Sequence, residues 1–176
     1  MCGIAGLINF DRRPVEADLA EMSRRIAHRG PDQEDIWSST RSEHAIGLAH
    51  RRLSIRDLTD SGRQPLESHS GRSVLIYNGE LYNEGDLTEK LRRKADFIAR
   101  SRCDSEVLLE CLEQFGPRCV GELNGIYAFA CHDRKTGETI LARDPVGVKP
   151  LYVWKDPTRR CVAFASEVKA FLGLRD

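Results

Sequence analysis

Residues 126–142 read Ile126-Tyr127-Ala128-Phe129-Ala130-Cys131-His132-Asp133-Arg134-Lys135-Thr136-Gly137-Glu138-Thr139-Ile140-Leu141-Ala142. Ile126 to Cys131 and Thr139 to Ala142 read as strands, and Lys135-Thr136-Gly137 between them is a hairpin signal. The pattern recurs downstream, where Leu151 to Trp154 and Cys161 to Ala165 flank Asp156-Pro157. Toward the N-terminus, Gly3 to Asn9, Ala45 to Ala49 and Val74 to Tyr77 also read as strands. Helical spacing places Leu19, Met22 and Ile26 on one face of Pro14 to Ala27, and Leu87 and Leu91 on one face of Glu84 to Arg93. Asp104 to Phe115 is the clearest helix, with Asp104 where an N-cap belongs, and a last helix is expected from Ser166 with Glu167 in its first turn. Helices between groups of strands, with several hairpins, predict an α+β fold of mainly antiparallel sheets covered by helices. No repeat or linker divides residues 1–176, so one domain is expected.

The 176 residues are 40% apolar and 31% charged, which is globular composition with enough chain for a sizeable core. Lys plus Arg and Asp plus Glu each number 27, a balance that argues against a nucleic-acid or polyanion surface. Arg12-Arg13, Arg24-Arg25 and Arg51 read as solvated. No apolar run would span a bilayer and the first residues lack the zones of a signal peptide, so a cytoplasmic location is expected. Cys2, Cys103, Cys111, Cys119, Cys131 and Cys161 form no CxxC pair and no zinc spacing with histidine. The last five read as reduced thiols.

The chain opens Met1-Cys2-Gly3-Ile4-Ala5-Gly6. With Met1 removed, Cys2 would carry a thiol and a free α-amine on one residue. The thiolate is the attacking species, from a group that ordinarily titrates near ~8.5. The amine titrates near ~7.7–8.0 and can accept its proton. N-terminal nucleophiles are activated in this way, although Cys2 alone also fits a small apolar residue opening a strand.

Thiol-dependent acyl transfer needs oxyanion donors and a means of holding the substrate. Asn78-Gly79 offers a side-chain NH2 and a backbone N–H for one oxygen, and it is equally a two-residue hairpin signal. Arg52, beside Leu53-Ser54-Ile55, suits a carboxylate bound through two parallel hydrogen bonds, or is a surface arginine. Asp104 is a helix cap, or an acceptor for a substrate ammonium. Together this Arg and this Asp suit an α-amino-acid head group.

These residues lie in an ordered series of motifs that run nearly end to end. The series begins with the opening hexapeptide, His28-Arg29-Gly30-Pro31-Asp32 and Leu48-Ala49-His50-Arg51-Arg52-Leu53-Ser54-Ile55. It continues through Gln64-Pro65-Leu66, Tyr77-Asn78-Gly79-Glu80-Leu81-Tyr82-Asn83 and Asp104-Ser105-Glu106. It ends with Leu123-Asn124-Gly125-Ile126-Tyr127-Ala128-Phe129-Ala130 and the segment from Arg143-Asp144-Pro145 to Leu151-Tyr152. The series resembles the glutaminase domain of class II, N-terminal-nucleophile glutamine amidotransferases of the asparagine-synthetase type. The resemblance implies a four-layer αββα sandwich of the Ntn-hydrolase type and hydrolysis of L-glutamine through a γ-glutamyl thioester. It implies Cys2 as nucleophile and Asn78 with Gly79 as oxyanion donors. It also implies Arg52 at the α-carboxylate, Asp104 at the α-amine, and Leu53, Ile55 and Glu80 as further glutamine contacts. The segment from Arg143 to Tyr152 matches one near the exit toward a partner domain, and His28 is expected to be structural.

The Ser-Gly-Gly-x-Asp-Ser phosphate loop of the second asparagine-synthetase domain appears nowhere in the sequence, and neither does any other nucleotide-binding Gly-rich loop. No cofactor is expected in this chain, since ATP and Mg would belong to a synthetase domain absent from it. That domain, or a separate synthase subunit, is the expected ammonia acceptor, and a homodimer is compatible with the sequence. Nucleic acid and membrane are not expected partners. The alternative is a non-catalytic module of the same fold that binds glutamine or docks a partner.

Overall fold

The computed structural model describes residues 1–40, 43–54 and 62–174. One sheet has the order β2 (Gln33–Ser39), β3 (Ala45–Arg52), β1 (Gly3–Asn9), β9 (Cys161–Ala165) and β8 (Tyr152–Asp156). The other has the order β4 (Leu66–Glu67), β5 (Ser73–Leu81), β6 (Gly125–Asp133) and β7 (Thr139–Arg143). Every pairing is antiparallel. Helix α1 (Glu16–Arg25) covers the first sheet, while α2 (Glu84–Ala95) and α3 (Asp104–Phe115) cover the second. The result is the expected α+β sandwich of four layers.

Side-chain parity builds the layers. Ala5 and Leu7 of β1 pack with Leu19, Met22 and Ile26 below α1, whereas Ile4 and Ile8 face the other sheet. In β5, Leu75 and Tyr77 pack against the α2–α3 layer, while Val74 and Ile76 meet Ile46, Leu48 and Phe164 between the sheets. Both faces of these strands are buried, so their sequences are apolar runs rather than alternating patterns.

Several expectations need correction. Asn78 and Gly79 are not a hairpin turn: β5 runs on to Leu81, with Asn78 opposite Ala128 and Gly79 opposite Tyr127. An added Cβ at Gly79 would lie 2.5 Å from the Ile126 carbonyl, so glycine answers a close strand approach. Asp104 is the first residue of α3, behind an N-cap at Cys103, and makes no cap bond. The terminal helix is a 3-10 segment over Val168–Leu174, and Ala27–Arg29 forms another that begins at the last residue of the expected helix Pro14 to Ala27. β2 and β4 come in addition, and β2 is an edge strand whose Glu34 and Ile36 face outward.

Arg51 is not solvated. Its guanidinium donates to the Ser23 carbonyl and hydroxyl at 3.2 and 3.0 Å and pairs with Glu34 at 2.6 Å, tying α1 to β2.

Candidate active site

The site caps one end of the layer between the sheets. Parity places His50 and Arg52 on the inner face of β3, continuing from Leu48, and Cys2 on the same face as Ile4, which pairs with His50. Asn78 follows Val74 and Ile76 on the inner face of β5. Between them lies a cavity of about 270 Å³. Cys2, Arg52, Leu53, Asn78, Gly79, Glu80 and Asp104 all line it. The seventh expected contact besides Cys2, Ile55, lies outside the described residues.

Two donors converge on this cavity. The Asn78 side chain is only 3% exposed, and its Nδ2 has no hydrogen-bond partner among the described residues. A buried amide left unsatisfied is costly and calls for a reason. The second donor follows from the outer edge of β5. The Tyr77 N–H donates to Gln64 Oε1 at 2.6 Å and the Leu81 N–H to Asp104 Oδ2 at 2.8 Å. A strand points alternate N–H groups to the same side, so the Gly79 N–H between them faces that edge too, where Gly79 lines the cavity. The Cys2 sulfur is held at the opposite wall: the Leu53 N–H approaches it at 3.5 Å, and the thiol points to the Leu53 carbonyl at 3.8 Å.

The same cavity carries opposite charges. Arg52 is 7% exposed and donates to Gln33 Oε1 at 3.3 Å. Asp104 receives the Tyr77 hydroxyl and the Leu81 N–H, both at 2.8 Å and both on Oδ2. Its other oxygen has no partner among the described residues. A basic fork and a carboxylate facing one small volume can hold a zwitterionic head group.

His50, Gln64 and Tyr77 also line the cavity, and none was singled out from the sequence. His50 is 1% exposed and donates from Nε2 to the Tyr77 carbonyl at 3.2 Å, bridging the two sheets beside Asn78. Burial, helped by the Arg52 charge and only partly offset by the Tyr77 bond, pushes its pKa down to about 4. It is thus a neutral strut. The regular alternation of Leu48, His50 and Arg52 along β3 is the signal that could have found it.

The His28-to-Asp32 motif braces this end of the sheet. Arg29 Nε donates to the Cys2 carbonyl at 3.0 Å, and its Nη1 to Glu167 at 2.9 Å. Burial opposes ionisation of Glu167, yet hydrogen bonds from Arg29, His28 and Lys169 hold its pKa down to about 2. Asp32 accepts the Ser54 N–H at 2.7 Å, and the Asp32 N–H donates to the Arg52 carbonyl at 3.1 Å. Gly30 lies so close to the β3 backbone that a Cβ would meet the Arg51 carbonyl at 2.3 Å. The buried Asp144 accepts the Val148 and Lys149 N–H groups, both at 2.9 Å, shaping the turn that brings Lys149 to the cavity.

Comparison with known proteins matches the sequence to a family. The family model for a glutamine amidotransferase domain matches residues 1–176. An asparagine synthetase [glutamine-hydrolyzing] 3 of Bacillus subtilis is 38% identical over 180 residues, covering 100% of this chain and 28% of the relative. The asparagine synthetase B [glutamine-hydrolyzing] of Escherichia coli is 37% identical over 174 residues, covering 98% and 30%. Amidase chry2 of Gibberella zeae is 34% identical over 183 residues, covering 98% and 26%. The chain thus spans between 26% and 36% of the length of these and another matched curated relative. No helix among the described residues is long and apolar enough to cross a membrane. The chain belongs to the glutamine amidotransferase domain family, with relatives named as glutamine-hydrolysing asparagine synthetases.

Proposed function

We propose that this member of the glutamine amidotransferase domain family hydrolyses L-glutamine to glutamate and ammonia from Cys2, once Met1 is removed. The reading rests on one observation above all: Asn78, whose buried Nδ2 has no partner among the described residues, and Gly79, whose N–H faces the strand edge, line one small cavity together with Cys2. The freed α-amine of Cys2 takes the thiol proton, and the sulfur attacks the side-chain carbonyl carbon of glutamine. The carbonyl oxygen, now negative, is received by Asn78 Nδ2 and the Gly79 N–H, fixed donors that cost no reorganisation. The ammonium form of the amine then protonates the departing nitrogen, so ammonia leaves and a γ-glutamyl thioester remains. Water attacks the thioester, the amine takes its proton, and glutamate departs as the thiol is restored.

Arg52 and Asp104 hold the α-carboxylate and α-ammonium, and Glu80 and the Leu53 backbone add contacts. No cofactor enters these steps. The names of the relatives support an ammonia acceptor in a synthetase domain or a separate synthase subunit, where ATP and Mg would act. Glutamate and ammonia released in equal amounts from L-glutamine by protein beginning at Cys2, and loss of both in folded Cys2→Ala, are the expected results. Equal release by the two proteins would overturn the assignment.

A second reading is a glutamine-binding module without turnover. Met1 lines the cavity with its sulfur 3.4 Å from Lys149 Nζ, and while attached it holds the Cys2 nitrogen in a peptide bond. Glutamine binding in calorimetry without glutamate release by Cys2-first protein would select this reading.

A further inference from the structure

Glu106 lies outside the cavity lining, yet it is the most heavily hydrogen-bonded carboxylate near it. It is 5% exposed. Its Oε1 accepts the Arg100 N–H at 2.8 Å and His69 Nε2 at 2.7 Å. Its Oε2 accepts the Ser101 N–H at 2.7 Å and the Ser101 hydroxyl at 2.5 Å. Ser101 Oγ in turn accepts the Cys103 N–H at 3.2 Å, and the Glu106 N–H donates to the Cys103 carbonyl at 3.1 Å. One carboxylate therefore folds residues 100–103 into a fixed loop that delivers the chain to Asp104.

The rest of α3 is secured differently. Val107, Leu108, Cys111 and Leu112 are packed in the core below the second sheet. These contacts fix the helix axis, but the first turn also needs its entry angle set. Asp104 must reach across to Leu81 and Tyr77 with one oxygen while the other stays available, so a small rotation of this turn would move the available oxygen. Burial opposes the charge on Glu106, but the Ser101, Arg100 and His69 donors outweigh it and hold its pKa below the usual carboxylate range. The brace is thus ionic across the neutral range.

We propose that Glu106 is a positioning residue for the amino end of the substrate: through the loop of residues 100–103 it aims the Asp104 carboxylate at the α-ammonium of glutamine. This rests on the glutaminase reading of the same site. It separates recognition of the α-ammonium from the chemistry at the amide. Glutaramate, which is glutamine without its α-amino group, keeps the amide and the carboxylate but gives Asp104 nothing to bind.

The test compares kcat/KM for L-glutamine and glutaramate in wild type, Glu106→Gln and Ser101→Ala, all beginning at Cys2. Gln at position 106 replaces one acceptor oxygen by a donor and should lower kcat/KM for glutamine about tenfold through KM, with glutaramate unchanged within about twofold. Ser101→Ala keeps Glu106 and removes one donor, so it should act in the same direction by about threefold, and it carries the test if Glu106→Gln does not fold. A capping role alone would lower the melting temperature and affect both amides equally. Equal losses on both, or no loss on glutamine, would overturn the proposal. Wild-type protein that releases no glutamate strikes the glutaminase reading instead. The same preference is then read from dissociation constants of the two amides, where loss of discrimination in the variants supports the brace and its retention refutes it.

Discussion

Two of the concavities among the described residues differ in kind. A groove of about 860 Å³ on the α2–α3 surface is three times the volume of the cavity between the sheets. Its charges are exposed and mostly paired with one another: Lys90 with Glu122 and Arg93 with Glu89. Lys90 and Lys94 also sit over the Phe115 ring at 4.6 and 5.3 Å. The smaller cavity holds buried polar groups instead, and the side-chain Nδ2 of one of them, Asn78, has no partner among the described residues. Size therefore does not mark the site. A polar group withheld from water and left unsatisfied costs stability, and at Asn78 the group belongs to a residue lining a cavity shared with a thiol, where a ligand could complete it.

The contrast breaks most sharply at Asn78. Asn78→Ala should lower kcat for glutamate release on the order of 10²–10³ with KM little changed, as for other oxyanion donors. A wild-type kcat would make the buried amide a packing accident. In the same cavity, Arg52→Lys keeps the charge but loses the fork, and should raise KM for glutamine about tenfold with kcat nearly constant. A change confined to kcat would move Arg52 out of head-group binding.

Two acids sharpen the comparison through pH. Burial opposes ionisation of Asp133 as it does of Glu167, but Arg72 and nearby backbone N–H groups hold Asp133 down to about 2. Glu167 is also held at about 2, from an ordinary 4.5. Each folded pKa lies below the unfolded one, so the stability each adds is full above the unfolded value and is lost as pH falls toward about 2. Glu167→Gln and Asp133→Asn should both flatten the fall of melting temperature below pH ~4.5. Only Glu167→Gln should slow glutamate release, because Glu167 shares Arg29 with the Cys2 carbonyl, while Asp133 lies at the far end of β6. At the groove, Lys94→Ala should change stability by no more than about 0.5 kcal/mol and leave turnover alone. A large loss there would give the groove a role that its paired charges do not suggest.

The sequence reveals the buried strands because β1, β3, β5 and β6 bury both faces and so appear as apolar runs. β2 escapes because Gln33–Ser39 is an edge strand with Glu34 and Ile36 outward, a pattern set by its partner β3 rather than by local preference. Asn78-Gly79 suggests a turn locally, but nine paired residues between β5 and β6 outweigh the dipeptide. Asp104 suggests a cap because its alternative partners, Leu81 and Tyr77, are distant in sequence and near only in the fold. The motifs bring Cys2, Arg52, Asn78 and Asp104 to notice one at a time. Their supports are harder to read: the alternation along β3 points to His50 but not to its partner, the Tyr77 carbonyl, and nothing in the Asp104-Ser105-Glu106 motif tells that Glu106 gathers Arg100, Ser101 and His69.

The central claim is that the Cys2 sulfur acts with its own unblocked nitrogen, and one assay addresses it directly. Glutamate release from L-glutamine should be followed for two forms of this protein, one beginning at Cys2 and one with Met1 verified in place by intact mass. The account predicts turnover in the first and background release in the second. Equal turnover in both would contradict it, because a nitrogen locked in a peptide bond cannot take the proton.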